Sequence, residues 1–371
     1  MNTLNKDKEP LRILKIINVA AENANDYFEY TLPLSRQHRF TFVSFYEPKM
    51  FPPKPCEIFS AQGSVFKFIQ IIRRILLIRK YDIVHCHHPN TSFLFLIALL
   101  SIRSRINTPL VFTVHSSYPN YKERNRLFLY IVFKYFDRIV FCSKASYDSF
   151  PERYHKIIEK KIGVITNGVN LDRIKTFTQS ISVHKESNEF TIVSVGRLIK
   201  LKNHITQVKT IEKICNEDLK LVIIGDGPEK DELIKLINKL GLEKKVHMTG
   251  LISKEKLYEY LINADVFIST STIEGMPYSV LEAMACGCPI VLSDIAPHRE
   301  IARHCDSITL ISPYDFRKFA HTINELINMN DIDRLAFGNR CRILVGNRYS
   351  IGEFLDNYNQ LYLNLVEKLS K

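Results

Sequence analysis

Residues 270–291 read TSTIEGMPYSVLEAMACGCPIV, and their pattern decides the fold. An apolar run ends at Thr270, a turn passes through Gly275 and Pro277, and a short amphipathic helix then stops at Gly287. A second apolar run, 289–293, begins at once. Glu274 falls in the loop at the carboxyl end of the first strand, and Glu282, with seven residues between the two, in the early turns of the helix. Two carboxylates aimed at one crevice, beside the unpaired N–H groups of a helix start, suit a ligand that carries many hydroxyls and a phosphate.

The same alternation runs outward in both directions. Segments 12–19, 40–45, 82–87, 110–115 and 138–143 read as short strands, as do 190–195, 219–224, 246–248 and 265–270. Helical stretches separate them, among them 64–80, 91–102, 124–136, 205–214, 230–240 and 254–263. Continuous apolar strands between amphipathic helices imply parallel sheets covered on both faces. The polar stretch 179–189, QSISVHKESNE, has the composition of a linker between two such units. The expected division is therefore an N-terminal domain over 1–178, a C-terminal domain over 189–350, and a closing helix over 351–371 that packs back toward the first. Two doubly wound units in tandem place a ligand cleft between them.

Composition bounds the rest. The 371 residues, 46% apolar and 24% charged, suffice for two domains of ordinary size. The longest uncharged apolar run, 91–102, has twelve residues, too few to cross a bilayer as a helix. The N-terminal segment reads as a first strand and not as a signal peptide. The eight cysteines form no CxxC pair, which fits reduced thiols in a cytosolic protein better than a zinc site. The net charge of +12 is uneven: residues 1–180 hold 27 Lys and Arg against 14 Asp and Glu, and the remainder 24 against 25. An anionic partner for the first half, such as a membrane surface or a lipid phosphate, would account for this; solvated basic faces are the plainer alternative.

Three further motifs point to the same kind of ligand. In SVGRLIKLKN (194–203) a strand ends, Gly196 turns the chain, and Arg197 and Lys202 lie at the start of a helix, a credible diphosphate clamp. In IIGDGPE (223–229) Gly225 and Gly227 make a tight loop that could wall a nucleotide or serve only as a turn. No GxGxxG and no GxxxxGK[ST] occurs. With NGVN (167–170) and EGMPYSVLEAMACGCPIV (274–291), these motifs occur in the order found in family 4 glycosyltransferases, and the chain resembles that family strongly from about 138 to 291.

The resemblance implies the GT-B fold, two Rossmann-like parallel-sheet domains facing a central cleft, and transfer of a sugar from a nucleotide diphosphate, UDP favoured, with retention of configuration. It implies that Arg197 and Lys202 hold the donor diphosphate, that Glu282 binds the ribose, and that Glu274 faces the donor sugar. Gly196, Gly225, Gly227 and the backbone N–H groups of Gly275, Met276 and Tyr278 would line the donor; Pro277 has no N–H and can only shape the loop. His115, which ends the strand PLVFTVH, matches a histidine near the transferred sugar. His115, Glu274, Arg197 and Lys202 are thus the expected catalytic set. No nucleophile or general base follows from the spacing. One departure stands out: many family members place a glycine pair after the first strand, where this chain has Val19-Ala20-Ala21-Glu22-Asn23-Ala24.

Asp331-Ile332-Asp333 forms a DxD, but outside the donor motifs, where it reads as a helix-capping loop. No metal or other cofactor is expected. His85 and His87 share one face of a strand without a carboxylate or cysteine pattern to complete a metal site. On the acceptor side, segment 64–80 carries Lys67, Arg73, Arg74, Arg79 and Lys80 on an apolar helix, and Arg103, Arg105, Lys122, Arg124 and Arg126 could extend a basic face. A saccharide or lipid-linked acceptor in cell-surface polysaccharide or glycolipid synthesis would fit, with the protein cytoplasmic or peripheral on the inner membrane face. A sugar-nucleotide epimerase and a non-catalytic subunit are the competing readings. Nucleic-acid binding would explain the charge, but no motif for it is present.

Overall fold

The computed structural model describes residues 9–20, 33–52, 54–180 and 189–370. The linker-like core of 179–189 and Ala21–Ala24 of the glycine-free loop lie outside the described residues. The chain separates into two compact units, Met1–Thr166 with Phe354–Lys371, and Asn167–Glu353.

Unit 1 carries β1 (Arg12–Ile17), β2 (Arg39–Ser44), β3 (Glu57–Ser60), β4 (Ile83–Cys86), β5 (Leu110–Val114), β6 (Arg138–Phe141) and β7 (Ile162–Val164). Its helices are α1 (Val65–Ile78), α2 (Pro89–Leu99), α3 (Glu123–Tyr135), α4 (Lys144–Asp148) and α5 (Glu152–Ile158). The strands form one sheet in the order β3-β2-β1-β4-β5-β6-β7, each neighbour parallel. Alternate strand residues feed two apolar clusters. Leu14, Ile16, Val84 and Phe112 meet helices on one face, and Ile13, Ile17, Ile83 and Val111 pack with Tyr358 and Tyr362 on the other.

Unit 2 begins with α6 (Leu171–Ser180) and continues through β8 (Phe190–Val195), α7 (His204–Glu212), β9 (Leu219–Ile224), α8 (Lys230–Lys239) and β10 (Val246–Gly250). Then follow α9 (Lys254–Asn263), β11 (Val266–Ser269), α10 (Tyr278–Ala285), β12 (Ile290–Ser293), α11 (Ala296–Ala302), β13 (Thr309–Ile311), α12 (Phe316–Ile327) and α13 (Asp331–Arg348). Its sheet runs β10-β9-β8-β11-β12-β13, again all parallel. The strand order reverses between β8 and β11, and the carboxyl ends of two strands diverging at such a point leave room for a ligand. α14 (Ile351–Ser370) starts in unit 2 and belongs to unit 1 from Phe354 onward.

The division corrects the expected boundary. The first unit ends at Thr166, not 178, because NGVN and α6 are tied to the second. The buried Asn167 amide donates to the Met276 carbonyl at 3.0 Å, Val169 N–H donates to the Tyr349 carbonyl at 2.8 Å, and Asn170 Oδ1 accepts from Arg173 N–H at the start of α6.

Candidate active site

The site in unit 2 is assembled by two loops at the β8/β11 reversal. After β8, Gly196 N–H donates to the Ile224 carbonyl at 3.0 Å, and Leu198 exchanges backbone hydrogen bonds with Asp226 and Glu229, both at 3.0 Å. The 196–203 loop therefore lies directly on the 225–229 loop. Glycine is required there: a Cβ on Gly225 (φ +144°) would sit 2.0 Å from the Gly196 carbonyl oxygen, and one on Gly227 2.5 Å from that of Leu198. These two glycines allow the close contact between the two loops.

The loop then reaches Asn203, whose φ of +52° starts α7. The Asn203 side-chain amide donates to the carbonyls of Pro313 (2.7 Å) and Thr270 (3.3 Å). Thr270 Oγ1 donates back to the Asn203 carbonyl at 2.9 Å, and Thr272 N–H to that of Leu201 at 2.8 Å. The loop that follows β11 is thereby held against the turn that carries Lys202, and Glu274 meets Lys202 with Nζ and Oε1 2.5 Å apart.

The Glu274 side chain is 12% exposed. Burial alone would lift its pKa, but the Lys202 ammonium, with smaller help from His298 and the Ser271 hydroxyl, holds the carboxyl below its usual range. Gly275 and Met276 are buried beyond it, and Tyr278 opens α10 after Pro277. Glu282, one turn along α10, is 9% exposed and pairs with Lys254 at the start of α9, Nζ to Oε1 2.5 Å. Arg197 is exposed, and among the described residues its guanidinium has no partner. Of the expected donor residues, Gly196, Arg197, Lys202, Glu274, Gly275, Met276, Tyr278 and Glu282 thus gather around one strand-end region of unit 2.

Four residues in this region were not singled out from sequence: Asn167, Asn203, Lys254 and His298. Asn167 opens the NGVN motif, and Asn203 left a local signal of its own, since Asn tolerates a left-handed backbone at a turn. His298 is wholly buried on α11. Its Nδ1 lies 2.8 Å from the Ser293 carbonyl and 3.1 Å from the Ser293 hydroxyl, which itself donates to the Ser271 carbonyl.

Unit 1, by itself, carries a histidine cluster on the α14 face of its sheet. His85 is clamped between Tyr362 Oη (2.7 Å at Nδ1) and Thr113 Oγ1 (2.8 Å at Nε2), and Tyr358 Oη bonds the same threonine at 2.9 Å. Burial, then Lys15 and His115, push the His85 pKa well down. His85 is therefore an anchor for α14 rather than a ligand-facing group. His87 Nδ1 and His115 Nε2 are 3.0 Å apart, so one ring donates a proton to the other. His115 opens to solvent, and water tempers the depression that surrounding atoms, then His88 and Lys15, impose on its ring. Among the described residues no three His, Cys, Asp or Glu side chains gather in a way that could hold a metal ion. Asp331 and Asp333 lie in the first turn of α13, not in a loop, with Asp333 N–H donating to Asn330 Oδ1 and Asp331 paired with Arg334.

On α1, Phe68, Ile72, Ile75 and Leu76 face the core. Three of the expected basic groups are engaged within the unit: Lys67 donates to Gln62, Arg73 to the Ala98 carbonyl, and Arg79 pairs with Glu57 of β3. Arg126 lies over the Tyr118 ring, and Arg103 donates to the Ile106 carbonyl. Phe66 and Ile78, each 71% exposed, flank the helix at its two ends. Among the described residues no helix is long and apolar enough to cross a membrane.

Residues 30–173 match Glycosyltransferase Family 4, and residues 176–342 match Glycosyl transferases group 1. Together these take in most of the chain, and the protein belongs to the family 4 glycosyltransferases. Its fold is GT-B, and it is a glycosyl-transferring enzyme.

Among similar proteins, an Escherichia coli UDP-Gal:alpha-D-GlcNAc-diphosphoundecaprenol alpha-1,3-galactosyltransferase is 26% identical, over 85% of this chain and 84% of that one. A Campylobacter jejuni N-acetylgalactosamine-N,N'-diacetylbacillosaminyl-diphospho-undecaprenol 4-alpha-N-acetylgalactosaminyltransferase is 32% identical, over 48% of this chain and 46% of the other. In structure the chain is similar to Anabaena HepE in complex with UDP and glucose, with a TM-score of 0.76 at 19% identity, covering 95% of this chain and all of that one. It is also similar to the sucrose-phosphate synthase of Thermosynechococcus elongatus, with a TM-score of 0.78 at 17% identity, covering 96% of this chain and 100% of the other.

Proposed function

We propose that the protein transfers a hexosyl or N-acetylhexosaminyl group from a UDP-sugar to a lipid-linked saccharide, with retention of configuration and without a metal. The observation that carries this reading is the contact of Lys202 with Glu274 at the β8/β11 strand ends, on the loop that also carries Arg197. Breaking the bond between the anomeric carbon and the phosphate oxygen leaves negative charge on the diphosphate. Arg197, exposed and without a partner among the described residues, and Lys202 on the same loop would stabilise it. The acceptor hydroxyl oxygen forms the new bond to that carbon, and its proton leaves with the diphosphate. Glu274 would receive hydroxyls of the sugar, and Glu282 those of the ribose. His115, in unit 1, is proposed as the fourth member of the catalytic set.

The choice of UDP and of a lipid-linked acceptor draws on the names of the relatives, since the E. coli protein is named for UDP-Gal and a diphosphoundecaprenol acceptor. The exposed Phe66 and Ile78 beside Arg74 and Lys80 suit peripheral contact with an anionic membrane, where such an acceptor resides. Thermal unfolding with UDP-, GDP- and ADP-sugars tests the donor, because only a ligand of the folded state raises stability. Transfer to a diphosphoundecaprenol-linked sugar, with the anomeric configuration of the product read by NMR, tests the reaction. No stabilisation by any nucleotide sugar would overturn the reading, and activity abolished by EDTA and restored by magnesium would overturn its metal independence. Sedimentation with anionic vesicles should fall when Arg74 and Lys80 are neutralised.

A further inference from the structure

His298 holds an arrangement that the donor reading leaves unused. Both groups at Nδ1 are acceptors there, because the Ser293 carbonyl lies at 2.8 Å and the Ser293 hydroxyl has given its proton to the Ser271 carbonyl. Nδ1 must therefore carry the ring proton, which leaves Nε2 of the neutral ring as a bare lone pair. That nitrogen is buried and, among the described residues, has no hydrogen-bond partner. A buried polar atom without a partner costs stability, so its retention at a site calls for an explanation.

The charged groups that act on the ring are Glu274, on the loop after β11, and Lys202, on the turn after β8. Arg299 of its own helix pairs with Asp294, just before that helix, and the pair is open to solvent. Burial pushes the His298 pKa down to about 4, with Glu274 drawing it up and Lys202 pressing it down. The neutral ring is thus stable while Lys202 sits on Glu274.

We propose that His298 is a positioning residue that takes up a proton at Nε2 when a nucleotide sugar draws Lys202 away from Glu274. The inference rests on the donor reading above. Lys202 can serve the leaving diphosphate only by giving up or sharing its 2.5 Å contact with Glu274. The carboxylate then loses its nearest cation in a largely buried place, and the arriving diphosphate adds further negative charge. Both changes favour the imidazolium over the neutral ring. The step is a protonation: the N–H bond at Nε2 forms as hydronium or the buffer acid gives up its proton, and no bond of the ring or of the donor breaks. His298 then holds Glu274 ionised and in place for the sugar while Lys202 acts on the phosphate.

Calorimetry at pH 6 in two buffers of different ionisation enthalpy counts the protons taken up on binding. UDP-galactose, UDP-N-acetylglucosamine and UDP-N-acetylgalactosamine serve as probes, since a nucleotide sugar has no phosphate that titrates near this pH. The wild type should take up a proton, and its affinity should weaken by up to about tenfold per pH unit as pH rises toward the bound-state pKa and level off above it. His298→Asn, whose amide can still donate to the Ser293 carbonyl, should lose both the uptake and the slope. Equal uptake in wild type and variant, or none in either, overturns the proposal while leaving the donor site standing. Should the variant fail to fold, 15N spectra of the wild type decide. One histidine Nε2 should become protonated on saturation, and the absence of any such change overturns the proposal. If none of the three probes, nor GDP-mannose or ADP-glucose, binds the wild type, it is the donor reading that fails.

Discussion

Lys202 and Glu282 meet similar surroundings, each in an ion pair of 2.5 Å, yet they should respond differently to replacement. Lys202 faces charge that grows as the sugar–phosphate bond breaks, so Lys202→Ala should lower kcat by two orders of magnitude or more, about 3 kcal/mol for a preorganised group in a dry site. Glu282 would bind a ribose that does not react, so Glu282→Ala should mainly raise KM and leave kcat close to that of the wild type. Steady-state kinetics over a range of donor concentrations separates the two, and a collapse of kcat at unchanged KM in Glu282→Ala would refute the division. Sequence alone brought these residues into view because each sits in a contiguous motif. It could not show that Lys202 rests on Glu274, 72 positions away, or that Lys254 rests on Glu282. His298 was hidden for a different reason: its only mark is an empty lone pair, which no residue pattern encodes.

The same contrast holds for elements. Strands 190–195 and 219–224 and helix 254–263 were legible residue for residue, because a continuous apolar run or a sustained helical period marks each one. β3, β7 and β13 were not, being edge or near-terminal strands of three or four residues with at most one fully buried side chain. Packing between elements was likewise invisible. Gly338 of α13 lies against the end of α10, the helix that carries Glu282, so closely that a Cβ would fall 1.9 Å from the Gly287 carbonyl oxygen. Gly338→Ala must push the two helices apart and should cost about 1–3 kcal/mol or more, read from denaturant unfolding. The change should also weaken donor binding through Glu282. In unit 1, Tyr362→Phe removes the hydroxyl that meets His85 Nδ1 and should destabilise by about 1–3 kcal/mol, because the ring nitrogen is left buried without its partner. An unchanged unfolding midpoint in Tyr362→Phe would show that this hydrogen bond adds nothing to the hold on α14.

At the scale of the molecule, the buried titratable groups set a direction for stability against pH. His85 and His87 in unit 1, and His204 and His298 in unit 2, all have pKa values lowered chiefly by burial, the last to about 4. In the unfolded chain these rings titrate near pH 6.5, so below that pH the unfolded state binds more protons than the folded one. Stability should therefore fall as pH drops from about 6.5 toward the folded values, by up to about 1.4 kcal/mol per unit for each ring. Glu274 adds to the loss at lower pH still, since its depressed pKa contributes stability that is lost as the carboxyl is protonated. Lys15 acts at the other end of the scale. Burial lowers it to about 8 against 10.5 in the open chain, so the unfolded state binds more protons between those values and stability rises with pH across them. The charged ammonium is thus a burden at neutral pH, and Lys15→Met should stabilise unit 1 at pH 7 and flatten the rise between pH 8 and 10. Urea unfolding at pH 5.5, 6.5, 7.5 and 9, with the transitions of the two units followed separately, checks both arms. His298→Asn should lose less stability than the wild type between pH 6.5 and 5.5. An equal loss in both proteins would place the acid sensitivity in the other buried histidines.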